Sequence, residues 1–126
     1  VGTRWDLHST SLGKAILAAL PDEEALEIIA RKGLPGHTRK TITRMEAMQR
    51  EMALIRKRGY ALDLEENEVG VRCVAAAMAD PLRGTVSAIS VSGPRDRITD
   101  ERIKDIAELV TTAVRTFTLH NLEERE

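Results

Sequence analysis

Apolar positions recur with a helical period through the first half of the chain, alternate after Gly59, and return to a helical period after Thr99. The spacing predicts a first helix from about Leu12 to Leu20, with Ser9 or Thr10 able to accept at its N-cap. Pro21-Asp22-Glu23-Glu24 restarts a second helix, since proline suits a first turn and acids suit the positive end of the dipole. Leu26, Ile29 and Ala30 form its expected buried stripe, and Gly33 ends it in a left-handed cap. Leu34 to Lys40 reads as a loop. Thr43 and Glu46 have the spacing of a capping box, and Met45, Met48, Met52 and Ile55 carry a third helix down to Gly59.

Beyond Gly59 the period is two. Tyr60 to Leu64 reads as a strand, followed by an acidic turn, Glu65-Glu66-Asn67-Glu68, expected to be solvated. Val71 to Ala79 and Thr85 to Ser92 are two further strands, joined by a hairpin loop over Asp80-Pro81-Leu82-Arg83-Gly84. Thr99 or Asp100 caps a long helix with Ile103, Ile106, Ala107, Val110, Val114 and Phe117 on one face. A short extended edge is expected over Val1 to Leu7, and the tail from Leu122 is expected to fray. Helices, then a β-meander, then a helix make one α+β domain over residues 1–126, an antiparallel sheet flanked by helices.

Composition narrows the function. Nineteen basic and twenty acidic residues leave a net charge of −1, and the pI is about 6.4. That balance argues against a free-standing DNA binder, whose affinity comes mostly from basic contacts to phosphate. Aromatic residues make up only 2%, so the core is aliphatic and a pocket has little ring surface for stacking. Cys73 is the only cysteine, which excludes an intramolecular disulfide and points to a reducing, cytoplasmic setting. No apolar run reaches membrane-spanning length. The start, Val1-Gly2-Thr3-Arg4-Trp5-Asp6, is neither an initiator nor a signal sequence and reads as the middle of a longer protein.

Alternation places Val71, Cys73, Ala75 and Ala77 on one face of the second strand, and Val86, Ala88, Ser90 and Ser92 on one face of the third. Two facing rows of small side chains either leave a hollow above the sheet or let a helix sink close to it. Both readings stay open. Cys73 and Ser90 share a face only if opposed residues have numbers with an odd sum, most simply Cys73 opposite Ser90 or Ser92. Asp63 could reach the same side. The helix start near Leu12 would add free backbone N–H groups and a positive dipole end, suited to a small carboxylate or phosphate.

At this point the chain resembles the effector-binding domain of the IclR family of bacterial transcription regulators. The likeness rests on Leu7-His8-Ser9-Thr10-Ser11-Leu12-Gly13-Lys14-Ala15, on Gly33-Leu34-Pro35, on Thr38-Arg39-Lys40-Thr41-Ile42, and on Ile55-Arg56-Lys57-Arg58-Gly59-Tyr60-Ala61. It is strongest over Glu65-Glu66-Asn67-Glu68-Val69-Gly70-Val71-Arg72-Cys73-Val74-Ala75-Ala76 and ends with Ser90-Val91-Ser92-Gly93-Pro94. The resemblance implies a GAF/PAS-like domain that binds a small metabolite, often a carboxylate, within a homo-oligomer (dimer or tetramer). It further implies an N-terminal winged helix-turn-helix, absent from this chain along with the domain's first helix and strands, through which the whole regulator reaches DNA. The family's pocket positions match Ser11, Leu12, Asp63, Cys73, Ser90 and Ser92. Ser11 and Leu12 stand where the family commonly has glycine or alanine, which bears on the ligand class.

Two chemical alternatives use His8, Asp63 and Cys73: a Cys–His–Asp nucleophile, or a Zn²⁺ site. Neither has supporting spacing, and an inert thiol lining a pocket is the expectation, with no catalysis, cofactor or metal. His37 and His120 are expected to be solvated, and Arg56-Lys57-Arg58 to complement a helix dipole. A remaining alternative is an oligomerisation module with a vestigial pocket.

Overall fold

The computed structural model describes residues 6–80 and 82–123, with side chains described as far as residue 120. Thr10 caps α1 (Ser11–Ala19), its hydroxyl accepting from the Gly13 amide at 3.1 Å. After Pro21 comes α2 (Asp22–Lys32), then α3 (Met45–Arg58). The strands are β1 (Ala61–Leu64), β2 (Val71–Asp80) and β3 (Thr85–Pro94), and α4 (Asp100–Glu123) ends the described chain.

The sheet is antiparallel in the order β1-β2-β3. Its register sets Asp63 opposite Cys73 and Cys73 opposite Ser92, with Ala61, Ala75 and Ser90 forming the next row. One face carries Leu62, Val74, Ala76, Met78, Ile89 and Val91 and packs against Ala107, Val110 and Val114 of α4. The other face is covered by α1, where Ala15 and Ala18 meet Ala61, Ala75 and Ala77. Beyond α1, Leu17 buries against Ala25 and Ile29 of α2 and Met48 and Met52 of α3. The layers are α4, sheet, α1, then α2 with α3. Arg56 donates to the Ala18 carbonyl at 2.9 Å and pairs with Asp22 at 3.2 Å, so it ties three helices together beyond any dipole effect.

Several expectations need correction. Ala30 is exposed and Ala25 is the buried partner of Ile29, because the inward stripe of α2 runs one turn earlier. The Thr43–Glu46 capping box does not form: Arg44 occupies the N-cap of α3 with no side-chain cap bond. Gly33 has positive φ, but ψ is −175°, so it leaves α2 in an extended direction, whereas Gly59 ends α3 in the left-handed region. Phe117 is 52% exposed, and Thr118, donating to the Val114 carbonyl, takes the inward position on α4. Asp80 extends β2 and pairs with Thr85, which shortens the hairpin connection, and β3 runs on through Gly93 and Pro94. Of the expected N-terminal edge, residues 1–5 lie outside the described residues and Leu7 sits in a turn. Helix α4 continues through Leu122 to Glu123, and the last three residues of the expected frayed tail lie outside the described residues.

The turn ahead of α1 crosses the helix at Gly13. A Cβ there would sit 2.4 Å from the Leu7 Cα and 2.6 Å from its carbonyl oxygen. Those neighbours are backbone and have little room to yield. Gly13→Ala is therefore expected to cost about 1–3 kcal/mol of stability, the usual range for overpacking, measured as a lowered urea midpoint with unchanged slope.

Candidate effector pocket

A cavity of about 320 Å³ opens beside the N-terminus of α1, over the part of the sheet that the helix does not cover. Ser11 and Leu12 form one wall, and Asp63, Cys73, Ser90 and Ser92 form the floor. Both sequence readings of the small-residue strip apply, to different halves. The alanines at 61, 75 and 77 let α1 pack closely, while the row Asp63–Cys73–Ser92 lies open to the cavity.

Sequence reasoning missed the residues that shape the rest of the site. Asp6, Thr10, Asn67, Glu68 and Val71 also line the cavity. Ser9 donates to the Asn67 side-chain oxygen at 2.7 Å, fastening the turn before α1 to the β1–β2 loop. Lys14 is wholly buried, with its Nζ 2.7 Å from Glu51 and 2.8 Å from Glu66. Glu66 also accepts from the Leu64 amide, and its own amide donates to Asp63 Oδ1 at 2.8 Å. The loop expected to be solvated is thus partly buried: Glu65 pairs with Lys40 and Arg95 and accepts from the Gly70 amide, and Glu66 faces Lys14. A signal was present in the sequence. Lys14 falls on the inward stripe of α1 beside Ser11, Ala15 and Ala18, and a lysine there demands a buried partner.

The first turn of α1 supplies donors. The Thr10 hydroxyl satisfies the Gly13 amide and the Thr10 carbonyl satisfies that of Lys14. The amides of Ser11 and Leu12 remain without an intrahelical acceptor, at the positive end of the helix dipole. The floor is less welcoming to charge. Burial pushes the Asp63 carboxyl above its usual range despite the Glu66 amide and Lys14 nearby, and does the same to Glu66. Burial likewise raises the Cys73 thiol, opposed by hydrogen bonds with Ser92 and Ser11 and reinforced by Asp63.

The chemical alternatives lose their geometry. His8 is buried with its Nε2 2.7 Å from the Pro35 carbonyl oxygen, so its ring does not serve Cys73. His37 is exposed but paired with Asp6, not merely solvated, and its ring lies 5.9 Å from that of His8. Among the described residues no three His, Cys, Asp or Glu side chains converge as metal ligands.

Two outcomes follow from this electrostatics. Cys73 should alkylate with iodoacetamide at pH 7 at least about tenfold more slowly in the folded protein than in urea, because a raised pKa leaves little thiolate. For Asp63, a raised carboxyl means that the native state holds a proton to higher pH than the unfolded chain does, so this residue's contribution to stability falls as pH rises through that window. The urea midpoint of Asp63→Asn, relative to the parent, should therefore rise between pH 3 and pH 7. A difference that stays constant with pH would contradict the assignment.

Residues 1–118 match the family model for the C-terminal domain of the bacterial transcriptional regulator IclR. The transcriptional repressor IclR of Escherichia coli K12 is 39% identical over 119 residues, 94% of this chain and 43% of the repressor. The chain thus spans less than half the length of that relative. The crystal structure of the Thermotoga maritima IclR superposes with a TM-score of 0.87 at 36% identity, covering 95% of this chain and 49% of that one. The inducer-binding domain of an Acinetobacter PobR double mutant, solved with 3-hydroxybenzoic acid, gives a TM-score of 0.82 at 27% identity, covering 94% of this chain and 70% of that one. The fold is accordingly the α+β, GAF/PAS-like one, and the family is one of transcription regulators rather than enzymes. The chain belongs to the IclR family, whose C-terminal domain it carries.

Proposed function

We propose that the chain is the effector-binding domain of an IclR-type transcription regulator and that a small carboxylate occupies the cavity beside α1. The observation that carries this reading is the cavity itself: about 320 Å³, with Ser11, Leu12, Asp63, Cys73, Ser90 and Ser92 around it. Its volume suits a metabolite, and its few polar groups set in apolar walls are what a small-molecule site needs. The ligand carboxylate accepts from the Ser11 and Leu12 amides, and its remaining polar groups reach the Ser90 and Ser92 hydroxyls. Leu12 narrows this wall and favours a small acid. In the whole regulator, a cytoplasmic homo-oligomer (dimer or tetramer), occupancy of the cavity shifts the balance between arrangements and so the operator affinity of an N-terminal winged helix-turn-helix. DNA is reached only through that domain. Among the described residues no helix is long and apolar enough to cross a membrane.

The oligomerisation reading keeps support of its own, from Leu109 and Phe117 one side of α4, at 63% and 52% exposure. The two roles are compatible.

Calorimetric titration with acetate, lactate, butyrate and 3-hydroxybenzoate tests the pocket. Ligands this small should bind with dissociation constants of roughly micromolar to millimolar order. Ser90→Leu and Ser92→Leu fill the cavity from exposed strand positions, so each should weaken binding at least about tenfold while shifting stability by no more than about 0.5 kcal/mol. No heat from any of these acids, or unchanged binding in both variants, would remove the effector reading.

A further inference from the structure

Among the described residues, the cavity proposed to take an anion has no cation in its lining. The ionisable side chains described there are Asp6, Asp63, Glu68 and the Cys73 thiol, with no lysine, arginine or histidine among the described lining residues. The buried cation that acts on Asp63 is Lys14, already flanked by Glu51 and Glu66 at 2.7 and 2.8 Å. Asp63 is 2% exposed and faces charged or titratable groups from each element around it. These are Lys14 from α1, Glu51 of α3 through that lysine, Glu66 and Glu68 from the β1–β2 loop, and Cys73 from β2. Ahead of α1, Asp6 is paired with His37. A carboxylate at the first turn of α1 shares the cavity with Asp63, because Ser11, Cys73 and Asp63 all line it. Two like charges side by side on the partly buried floor of the cavity, without a counter-ion in the described lining, repel, and the economical solution is that they share one proton.

We propose that Asp63 sets the specificity of this pocket: it admits a singly charged carboxylate together with one proton taken from solvent, and it disfavours dicarboxylates. Once protonated, Asp63 has an O–H to donate to the ligand, while Oδ1 still accepts from the Glu66 amide. Burial already pushes this carboxyl towards its neutral form before any ligand arrives. A second carboxylate on the ligand finds no further carboxyl proton among the described lining residues, and Glu68 adds repulsion. The inference rests on the effector reading above, and its test separates the two.

Binding of lactate and 3-hydroxybenzoate is measured by calorimetry at pH 6, 7 and 8.5, in buffers of different ionisation enthalpy, which reports protons exchanged per ligand bound. Uptake approaching one proton is expected at the upper end of this range. Affinity there should fall by up to about tenfold per pH unit, the limiting slope for linkage to one proton. Malonate and isophthalate, the matching dianions, should bind at least about tenfold more weakly than lactate and 3-hydroxybenzoate. Asp63→Asn keeps a neutral donor and an acceptor for the Glu66 amide, so it should bind the monoanions with no proton exchange and a flat pH profile. The proton count on the unaltered protein stands even if that variant does not fold. Binding without proton uptake at every pH, the same pH slope in Asp63→Asn, or dianions bound as well as monoanions would overturn the role of Asp63 alone. Absence of binding by both monoanions at every pH would overturn the effector reading and this inference with it.

Discussion

A lysine sealed from water on the inner side of α1 is the constraint around which the rest of the domain is arranged. An unpaired ammonium in that position would cost several kcal/mol. Lys14 is held instead between Glu51 of α3 and Glu66 of the β1–β2 loop. Both acids must come to it, so the pairing fixes three elements relative to one another. It seats the first turn of α1 beside the loop that carries Glu66, and the Glu66 amide in turn grips Asp63 on β1. The cavity exists where it does because the helix start is pinned at this spot while the sheet beneath it has only small side chains.

That arrangement explains how a polar site survives beside an alanine-rich interface. Ala15 and Ala18 of α1 lie directly on Ala61, Ala75 and Ala77, an apolar contact that needs close approach. One row along the strands, the opposed residues are Asp63, Cys73 and Ser92, and the helix has already ended. The same short side chains that allow contact in one half leave space in the other. The hydroxyl of Thr10 and the crossing at Gly13 then set how the preceding turn leaves the helix, with Asp6 and Thr10 at the rim of the cavity.

Much of this was legible in the residues. The change from helical to alternating period at Gly59 marks the sheet, and counting faces along Val71–Ala77 and Val86–Ser92 narrows the partner of Cys73 to Ser90 or Ser92, of which the structure has Ser92. Strand alternation is a strict geometric rule, so a single correct pairing determines which side chains share a face. The β1–β2 loop departs from the usual solvation of glutamate runs: Lys14 on the inward stripe of α1 signals a buried acid, but only tertiary position shows that Glu66 serves Lys14 and Glu65 serves Lys40. The Thr43–Glu46 spacing suggested a cap that the backbone does not use, since α3 begins one residue later, from Arg44. Hydrophobicity alone points Phe117 inward, whereas Thr118 enters the core by returning its hydroxyl to the Val114 carbonyl. These differences each turn on a polar group whose partner lies far along the chain or in the backbone, whereas Ala25 in place of Ala30 on the inner side of α2 is a shift of helical phase.

The dependence of the site on the buried ion pair is most directly tested by a double-mutant cycle between Lys14→Met and Glu66→Gln, read by urea unfolding at pH 7. If the pair seats α1 as described, the two substitutions are strongly non-additive, with a coupling of about 2–3 kcal/mol. Additive effects, with a coupling near zero, would contradict the claim that this interaction holds the helix start in place over the sheet.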